Sequence, residues 1–220
     1  MSDSHLLLRP HIGTDEAGKG DYFGPLVVAA AFADELALTR LPQAGVRDAK
    51  KVSTGRVWQL EKAVKQICPA FEVVVISPAR YNDLLAKMRN LNCLLAWGHA
   101  RAIEDVLARV ECNLALADQF GDESYLQDSL MQRGRAITLV QQPKAEADPA
   151  VAAASVLARA AFLRAMENLS ALAGIELPRG ATHVVPAARE VVAKGGEQLL
   201  RQLAKVHFKT TKQVLDHPPA

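Results

Sequence analysis

A pair of acidic side chains precedes a glycine-rich turn near the start of the chain. Asp15 and Glu16 end a short apolar run, and Gly18-Lys19-Gly20 follows. Adjacent strand residues point to opposite faces, so the two carboxylates can share a site only where the strand ends and the glycines let the chain turn. An oxygen-rich pair of this kind suits a hard divalent ion such as Mg²⁺ or Mn²⁺. Taken alone, the pair is more typical of a solvated turn between two hairpin strands, because turns are often acidic.

Two later segments also present acids. Asp118 ends the apolar run over residues 113–117, and open α/β sheets bind ligands at the carboxyl ends of their strands. Glu146 and Asp148 precede an alanine-rich segment. Because Pro149 directly follows Asp148, we interpret Asp148 as a helix N-cap and Glu146 as the candidate metal ligand. Asp148 remains the alternative fourth acid, and a turn aspartate remains the alternative for Asp118.

The same first segment excludes one class of enzyme. Residues 13–19 match the first seven positions of the phosphate-loop pattern G-x-x-x-x-G-K-[ST], but Gly20 stands at the eighth. The hydroxyl that holds Mg²⁺ in such loops is therefore absent. Asp15 and Glu16 would also bring negative charge into a phosphate cradle, which excludes a phosphate-loop NTPase.

Basic residues occur in two segments that could contact a phosphate backbone. Lys50 and Lys51 directly precede a helix predicted to begin near residue 53 or 54, and the tail over residues 205–212 includes Lys209 and Thr210. Such cations suit the phosphates of a nucleic acid. The formal net charge is only +2, so any affinity for nucleic acid must come from local patches. A solvated surface is the alternative for both segments.

The surrounding pattern alternates strands and helices, which predicts an α/β fold. Strands are predicted over residues 23–32, 71–76, 113–117 and 136–141, in addition to the first strand that carries Asp15. Helices are predicted over residues 55–68, 78–88, 90–110, 123–133, 150–169, 187–194 and 197–206. Residues 34–46 are predicted to form a loop or a short irregular strand, and the strand over 71–76 is predicted to be buried. Trp97 and His99 are interpreted as helix-packing residues.

Composition indicates a cytoplasmic globular protein. The chain has 220 residues, 50% of them hydrophobic and 23% charged, which is enough for one substantial domain. Three cysteines with no C-x-x-C spacing argue against a disulfide framework or a zinc site. The chain has neither a signal-peptide core nor an uninterrupted run of 18 apolar residues, so we expect no membrane association. We predict a single domain over residues 1–220, with a C-terminal helical part over about 178–220.

Together these motifs resemble the type 2 ribonucleases H and, within them, the HIII branch. The resemblance rests on GTDEAGKGDYFGP at 13–25, DAKKV at 48–52, NLN at 90–92 with LLAW at 94–97, DQF at 118–120, KAE at 144–146, and AAAS at 152–155 with Ala158-Arg159. It spans nearly the whole chain. It implies a ribonuclease H fold, a mixed sheet flanked by helices with a C-terminal helical extension, and endonucleolytic cleavage of RNA in RNA–DNA hybrids.

The resemblance also implies roles for individual residues. Asp15 and Glu16 match the first two metal ligands, Asp118 the third and Glu146 the fourth. The turn at Gly18, Lys19 and Gly20 matches the one that contacts the nucleic acid near the cleaved phosphate. The implied mechanism uses two Mg²⁺ or Mn²⁺ ions and leaves 5′-phosphate and 3′-hydroxyl ends.

Two departures from the family shape the expected substrate. HIII members usually carry an N-terminal substrate-binding domain, whereas only twelve residues precede Gly13, so we expect this chain to bind hybrids without the help of that domain. We expect a monomer. The HII branch recognises an RNA–DNA junction with a tyrosine near the C-terminal part, and the tyrosines here are Tyr22, Tyr81 and Tyr125. We therefore expect cleavage of RNA–DNA hybrids, with junction cleavage at an embedded ribonucleotide as the alternative. A non-catalytic hybrid-binding protein is the rival from another class.

Overall fold

The computed structural model describes residues 9–46 and 52–216, and these residues form two compact units. The first unit comprises the described residues of Met1–Ala17, Val27–Val74 and Asn90–Ala160. The second comprises those of Gly18–Leu26, Val75–Arg89 and Ala161–Ala220.

A five-stranded mixed sheet carries three of the predicted acids, Asp15, Glu16 and Asp118. Its strands are β1 (His11–Ala17), β2 (Leu26–Ala33), β3 (Ala70–Ile76), β4 (Leu114–Asp118) and β5 (Thr138–Gln142), in the order β3-β2-β1-β4-β5. Strand β1 runs antiparallel to β2 and parallel to β4, and β4 runs parallel to β5. The carboxyl ends of β1, β4 and β5 therefore meet at one edge of the sheet. This arrangement confirms the predicted mixed sheet.

Eight α-helices are found in the described residues. They are α1 (Glu35–Gln43), α2 (Thr54–Ile67), α3 (Pro78–Met88), α4 (Leu91–Leu107), α5 (Glu123–Ser129), α6 (Pro149–Ala173), α7 (Val185–Leu203) and α8 (Lys209–Leu215). Short 3₁₀ turns cover Gly134–Ala136 and Ala145–Ala147. Non-helical backbone at Gly195 and Gly196 interrupts α7, where the sequence predicted two helices.

Two predictions about local structure were wrong. Residues 34–46, predicted as a loop or irregular strand, contain helix α1, because Asp34 caps it by accepting a hydrogen bond from Ala37 N–H at 2.7 Å. Pro42 lies in its last turn, where a missing N–H is less costly than in the middle of a longer helix. Strand β3, predicted to be buried, is mostly half-exposed because it is an edge strand, and Val75 is 52% exposed.

The core of the first unit packs the sheet against α4. One cluster of buried apolar residues joins β1, β2, β3, β4 and α4, and it consists of Ile12, Val28, Ala30, Phe32, Ala70, Ala102, Ile103, Val106 and Ala115. Every residue of β2 is buried, as its uncharged sequence predicts. Close packing against α4 thus fixes the position of the sheet edge that carries the acids.

Helix α6 starts in close contact with β1. A Cβ atom at Gly13 would lie 2.1 Å from Ala150 C and from Val151 N, so only glycine allows this approach of two backbones. The length and composition of α6 would by themselves permit a membrane span, but most of the helix is buried inside the protein. The apolar residues of α6 therefore pack in the core, and this packing brings the segment that precedes α6 to the sheet edge.

Candidate active site

Strand register places Asp15 and Asp118 side by side. Parallel pairing of β1 with β4 matches Gly13 with Leu116 and Thr14 with Ala117. Asp15 and Asp118 are the next residues on the two strands, at the edge where β4 ends. Neighbouring strands lie about 4.8 Å apart, and matched residues of parallel strands face the same side. Two carboxylates predicted as metal ligands, more than a hundred positions apart in sequence, therefore lie on one side of one sheet edge.

Asp15 occupies an unfavourable place for a negative charge. The residue is only 5% exposed, and burial together with the adjacent charge of Glu16 raises the pKa of Asp15 to about 6. Its Oδ1 accepts the Glu16 N–H at 2.8 Å. The Ser155 hydroxyl and His99 lower the pKa in part, yet among the described residues no hydrogen bond of good geometry reaches the buried Oδ2. A cation at Oδ2 would offset both the cost of burying the charge of Asp15 and its repulsion from Glu16.

Asp118 and Glu146 are linked through the backbone. Asp118 Oδ1 accepts a hydrogen bond from Ala145 N–H at 3.2 Å. Asp118 also pairs in register with Gln142 of β5, so the chain leaves the sheet edge there and enters the 3₁₀ turn that contains Glu146. Glu146 therefore lies one residue after the amide that binds Asp118, and its side chain is half-buried.

Asp148 caps the start of α6 through one carboxylate oxygen, whereas its buried Oδ2 has no hydrogen-bond partner among the described residues. Its Oδ1 accepts the N–H groups of Ala150 at 2.8 Å and Val151 at 3.0 Å, and lies 3.0 Å from His11 Nε2. The predicted N-cap is thereby confirmed. Burial would by itself lower the pKa of His11, but the hydrogen bond and charge of Asp148 and the Arg9 carbonyl outweigh it and raise that pKa. Asp148 is 1% exposed, which leaves Glu146 as the more accessible acid.

The structure confirms His99 of helix α4 as a buried packing residue, and it adds a contact with Glu16 that the sequence did not indicate. His99 was interpreted as a packing residue because no metal-binding partner stands near it in sequence. The structure places its Nε2 3.2 Å from Glu16 Oε2 and its Nδ1 2.8 Å from Thr14 Oγ1. No local signal distinguishes this histidine, since its partners lie 83 and 85 residues away.

The donor set suits a hard divalent ion without forming a closed cage. Among residues 9–46 and 52–216, no three His, Cys, Asp or Glu side chains converge as a ready-made metal site. Asp15, Glu16, Asp118 and Glu146 nevertheless offer only oxygen donors, as Mg²⁺ and Mn²⁺ prefer. The buried Oδ2 of Asp15 is an acceptor that no donor of good geometry reaches in the described part of the chain. By these two observations the residues fit a divalent ion.

Comparison with known proteins decides the family. The family model for Ribonuclease HII matches residues 12–211. Ribonuclease HIII of Protochlamydia amoebophila (strain UWE25) is 42% identical over 209 residues, which are 94% of this chain and 69% of that protein. The chain belongs to the ribonuclease HII family. Its enzyme class is therefore that of the ribonucleases H, which are endoribonucleases, and the resemblance drawn from the motifs is confirmed.

Solved structures agree with this assignment. Bst-RNase HIII in complex with Mn²⁺ is 33% identical to this ribonuclease HII family member, with a TM-score of 0.88 over 97% of this chain and 71% of that one. The ribonuclease H2 of Pyrococcus horikoshii OT3 has a TM-score of 0.81 over 94% of this chain and 97% of that one, at 23% identity. The second likeness shows the fold alone, and the predicted ribonuclease H fold is confirmed.

In this ribonuclease HII family chain, the predicted glycine turn belongs to the second unit. Gly18 has φ +85°, and a Cβ there would lie 2.2 Å from Pro25 O, so the turn requires glycine. Lys19 is half-buried and Gly20 is exposed. A Cβ at Gly20 would have no described heavy atom within 4 Å. The open space beside Gly20 is compatible with a ligand backbone, and its role in binding stays a prediction.

A buried lysine holds the residues that follow this turn. Lys205 is 0% exposed, and its Nζ donates to Asp21 O at 2.8 Å and Gly24 O at 2.7 Å. Burial lowers the pKa of Lys205 to about 7. The sequence had grouped Lys205 with surface cations suited to phosphates, and this was wrong because its ammonium group serves backbone carbonyls inside the protein.

Of the remaining basic candidates, the structure describes only some. Lys209 is exposed and Thr210 is half-buried, both in the first turn of α8. This position is compatible with contact to a phosphate backbone, which stays a prediction. Lys50 and Lys51 lie outside the described residues, so their predicted contacts are neither supported nor opposed by the structure.

Proposed function

We propose that this chain hydrolyses the RNA strand of RNA–DNA hybrids, with Asp15, Glu16, Asp118 and Glu146 as ligands of divalent metal ions. The matched register of Asp15 and Asp118 on neighbouring parallel strands carries the proposal. It is supported by membership of the ribonuclease HII family and by the Mn²⁺ complex of Bst-RNase HIII. Mg²⁺ and Mn²⁺ are both compatible with an all-oxygen donor set.

The chain's own residues prepare the site. Bound divalent ions supply an activated water and neutralise charge on the leaving 3′-oxygen, which yields 5′-phosphate and 3′-hydroxyl ends. Asp15 offers a buried oxygen with no competing donor of good geometry in the described structure. Ala145 N–H fixes one oxygen of Asp118, and Asp148 caps the start of α6, directly after the turn that bears Glu146.

The substrate we propose is a uniform hybrid. Recognition of RNA requires contact with the 2′-hydroxyl, which is the group that distinguishes RNA from DNA. Backbone N–H groups around Gly18 to Gly20 are the proposed contacts. Tyr22 and Tyr81 are each 0% exposed, and Tyr125 accepts a hydrogen bond from Asn90 at 3.0 Å. Two of the three tyrosines are thus unavailable to stack on a base, which disfavours tyrosine-based recognition of a single embedded ribonucleotide.

We further propose that the protein is a cytoplasmic monomer. The three cysteines Cys68, Cys93 and Cys112 are free thiols, as is usual in a reducing compartment. Light scattering coupled to size-exclusion chromatography measures the mass directly. A mass close to 23.8 kDa supports a monomer, and twice that mass contradicts it.

The cleavage assay compares three duplexes with Mg²⁺ or Mn²⁺. They are a uniform RNA–DNA hybrid, a DNA duplex with one ribonucleotide, and a DNA duplex without RNA. We expect cleavage of the uniform hybrid to 5′-phosphate products, and no cleavage by Asp15→Asn, which should still fold and bind the hybrid. Tight binding of the hybrid without cleavage by the wild type would favour the non-catalytic rival. Preferred cleavage at the single ribonucleotide would favour the junction-cutting alternative.

A further inference from the structure

His99 is a fully buried histidine between a candidate metal ligand and the core. It lies on α4, is 0% exposed, and its ring stacks on Phe120 with centroids 5.0 Å apart and planes 13° from parallel. Its Nε2 lies 3.2 Å from Glu16 Oε2. Because a carboxylate only accepts hydrogen bonds, this contact requires an N–H at Nε2 that donates to Glu16.

The other side of the ring is anchored to the sheet. His99 Nδ1 lies 2.8 Å from Thr14 Oγ1, and the Thr14 hydroxyl donates to Ala29 O of β2 at 2.8 Å. Thr14 and Glu16 are alternate residues of β1. The ring is thus fixed through β1, β2 and the stack with Phe120, so its position is set by the core and not by solvent.

We propose that His99 is a positioning residue for Glu16 and strengthens the binding of the divalent ion. This inference rests on the proposed role of Glu16 as a ligand. The Nε2–H fixes one oxygen of the Glu16 carboxylate, so the orientation of this side chain is restricted before the ion arrives. Partners of this kind typically change metal affinity or activity by about 10–100-fold when they are removed.

The geometry also distinguishes this role from direct ligation. Both ring nitrogens face oxygens of Glu16 and Thr14 within hydrogen-bond distance. A nitrogen that donates to a carboxylate offers no lone pair to an ion. The four proposed ligands are all oxygens, which suits Mg²⁺ and Mn²⁺ better than a set with one imidazole. His99 therefore acts through Glu16.

Two substitutions separate the hydrogen bond from the packing. His99→Phe keeps an aromatic ring against Phe120 but removes both nitrogens, whereas His99→Gln can place an amide N–H near the position of Nε2. We expect His99→Phe to weaken Mn²⁺ binding by about 10-fold or more, measured by calorimetry without substrate, and to lower kcat with KM for the hybrid nearly unchanged. His99→Gln should restore most of both. Thermal unfolding in EDTA checks that each variant is folded.

Two further variants keep the inference testable. Thr14→Val removes the hydroxyl that anchors the His99 ring while keeping side-chain volume, and it should also weaken Mn²⁺ binding. This variant tests the inference if His99→Phe fails to fold. His11→Phe removes another buried histidine that contacts a carboxylate, and it should lower stability with Mn²⁺ affinity unchanged.

The outcomes are separable from those of the proposed function. Wild-type Mn²⁺ affinity in folded His99→Phe, or equal losses in His99→Phe and His99→Gln, would overturn the positioning role. An equal loss of affinity in His11→Phe would overturn it too, because the effect would then be general to buried histidines. Full activity of Glu16→Gln would instead refute the ligand role of Glu16.

Discussion

Substitution of Asp148 should damage stability far more than catalysis. In Asp148→Ala the N–H groups of Ala150 and Val151 lose their shared acceptor, which costs about 0.5–2 kcal/mol for a helix cap. His11, 1% exposed, also loses its carboxylate partner. Breaking a buried charged pair costs about 3–5 kcal/mol, and loss of the proton from His11 would bring the cost of this pair toward the lower end of that range. We therefore expect the free energy of unfolding to fall by about 3–5 kcal/mol in total, since the two losses share one carboxylate.

The matched variant is Glu146→Gln, which should lower turnover by orders of magnitude with little change in stability. For a chain of this length each kcal/mol shifts Tm by roughly 2–4 °C, so Asp148→Ala should melt about 6–20 °C lower. Urea unfolding gives the stability of both variants, and single-turnover cleavage of a uniform hybrid well below both melting temperatures gives their activity. If Asp148→Asn is stable and inactive while Glu146→Gln is active, Asp148 is the fourth ligand and the assignment is wrong.

Three further predictions concern packing, pH and salt. Gly13→Ala should lower the free energy of unfolding by several kcal/mol in urea, because its Cβ would meet backbone atoms at 2.1 Å, whereas Gly20→Ala should leave stability nearly unchanged because its Cβ meets nothing. The stability lost in His11→Phe should be largest below pH 6.5 and should shrink as pH rises through the raised pKa of His11. Urea unfolding between pH 5.5 and 9 measures the difference in unfolding free energy between wild type and variant. A difference that grows with pH would contradict the stabilising pair of His11 and Asp148. Replacing Lys50 and Lys51 by Ala should reduce the log–log salt slope of hybrid binding by roughly one per lost contact. An unchanged slope would instead favour the alternative that both lysines are solvated and make no phosphate contact.

The parts of the fold that depend on local pattern were predictable. The acidic ends of β1 and β4 follow apolar runs, and Pro149 after Asp148 marks the start of α6. The sequence did not reveal contacts between residues that lie far apart in the chain. His99 contacts Glu16 across 83 positions, and Lys205 reaches carbonyls 181 and 184 positions earlier, and neither contact leaves a periodic trace.

Local competition explains the errors in secondary structure. Pro42 suggested a loop, but capping by Asp34 and burial of three apolar side chains in α1 outweighed it. The apolar sequence of β3 suggested a buried strand, yet sheet order places it at the edge. Sequence periodicity does not report which strands lie at an edge, because that depends on the pairing of the whole sheet.

A crystal structure with Mn²⁺ and an anomalous difference map at the manganese edge tests the central claim most directly. The anomalous signal locates the ions independently of the refined protein atoms. We predict manganese peaks at the sheet edge, within bonding distance of carboxylate oxygens of Asp15, Glu16, Asp118 and Glu146, with Asp148 still bound to the start of α6. Manganese bound elsewhere, or bound by Asp148 in place of Glu146, would contradict the site described here.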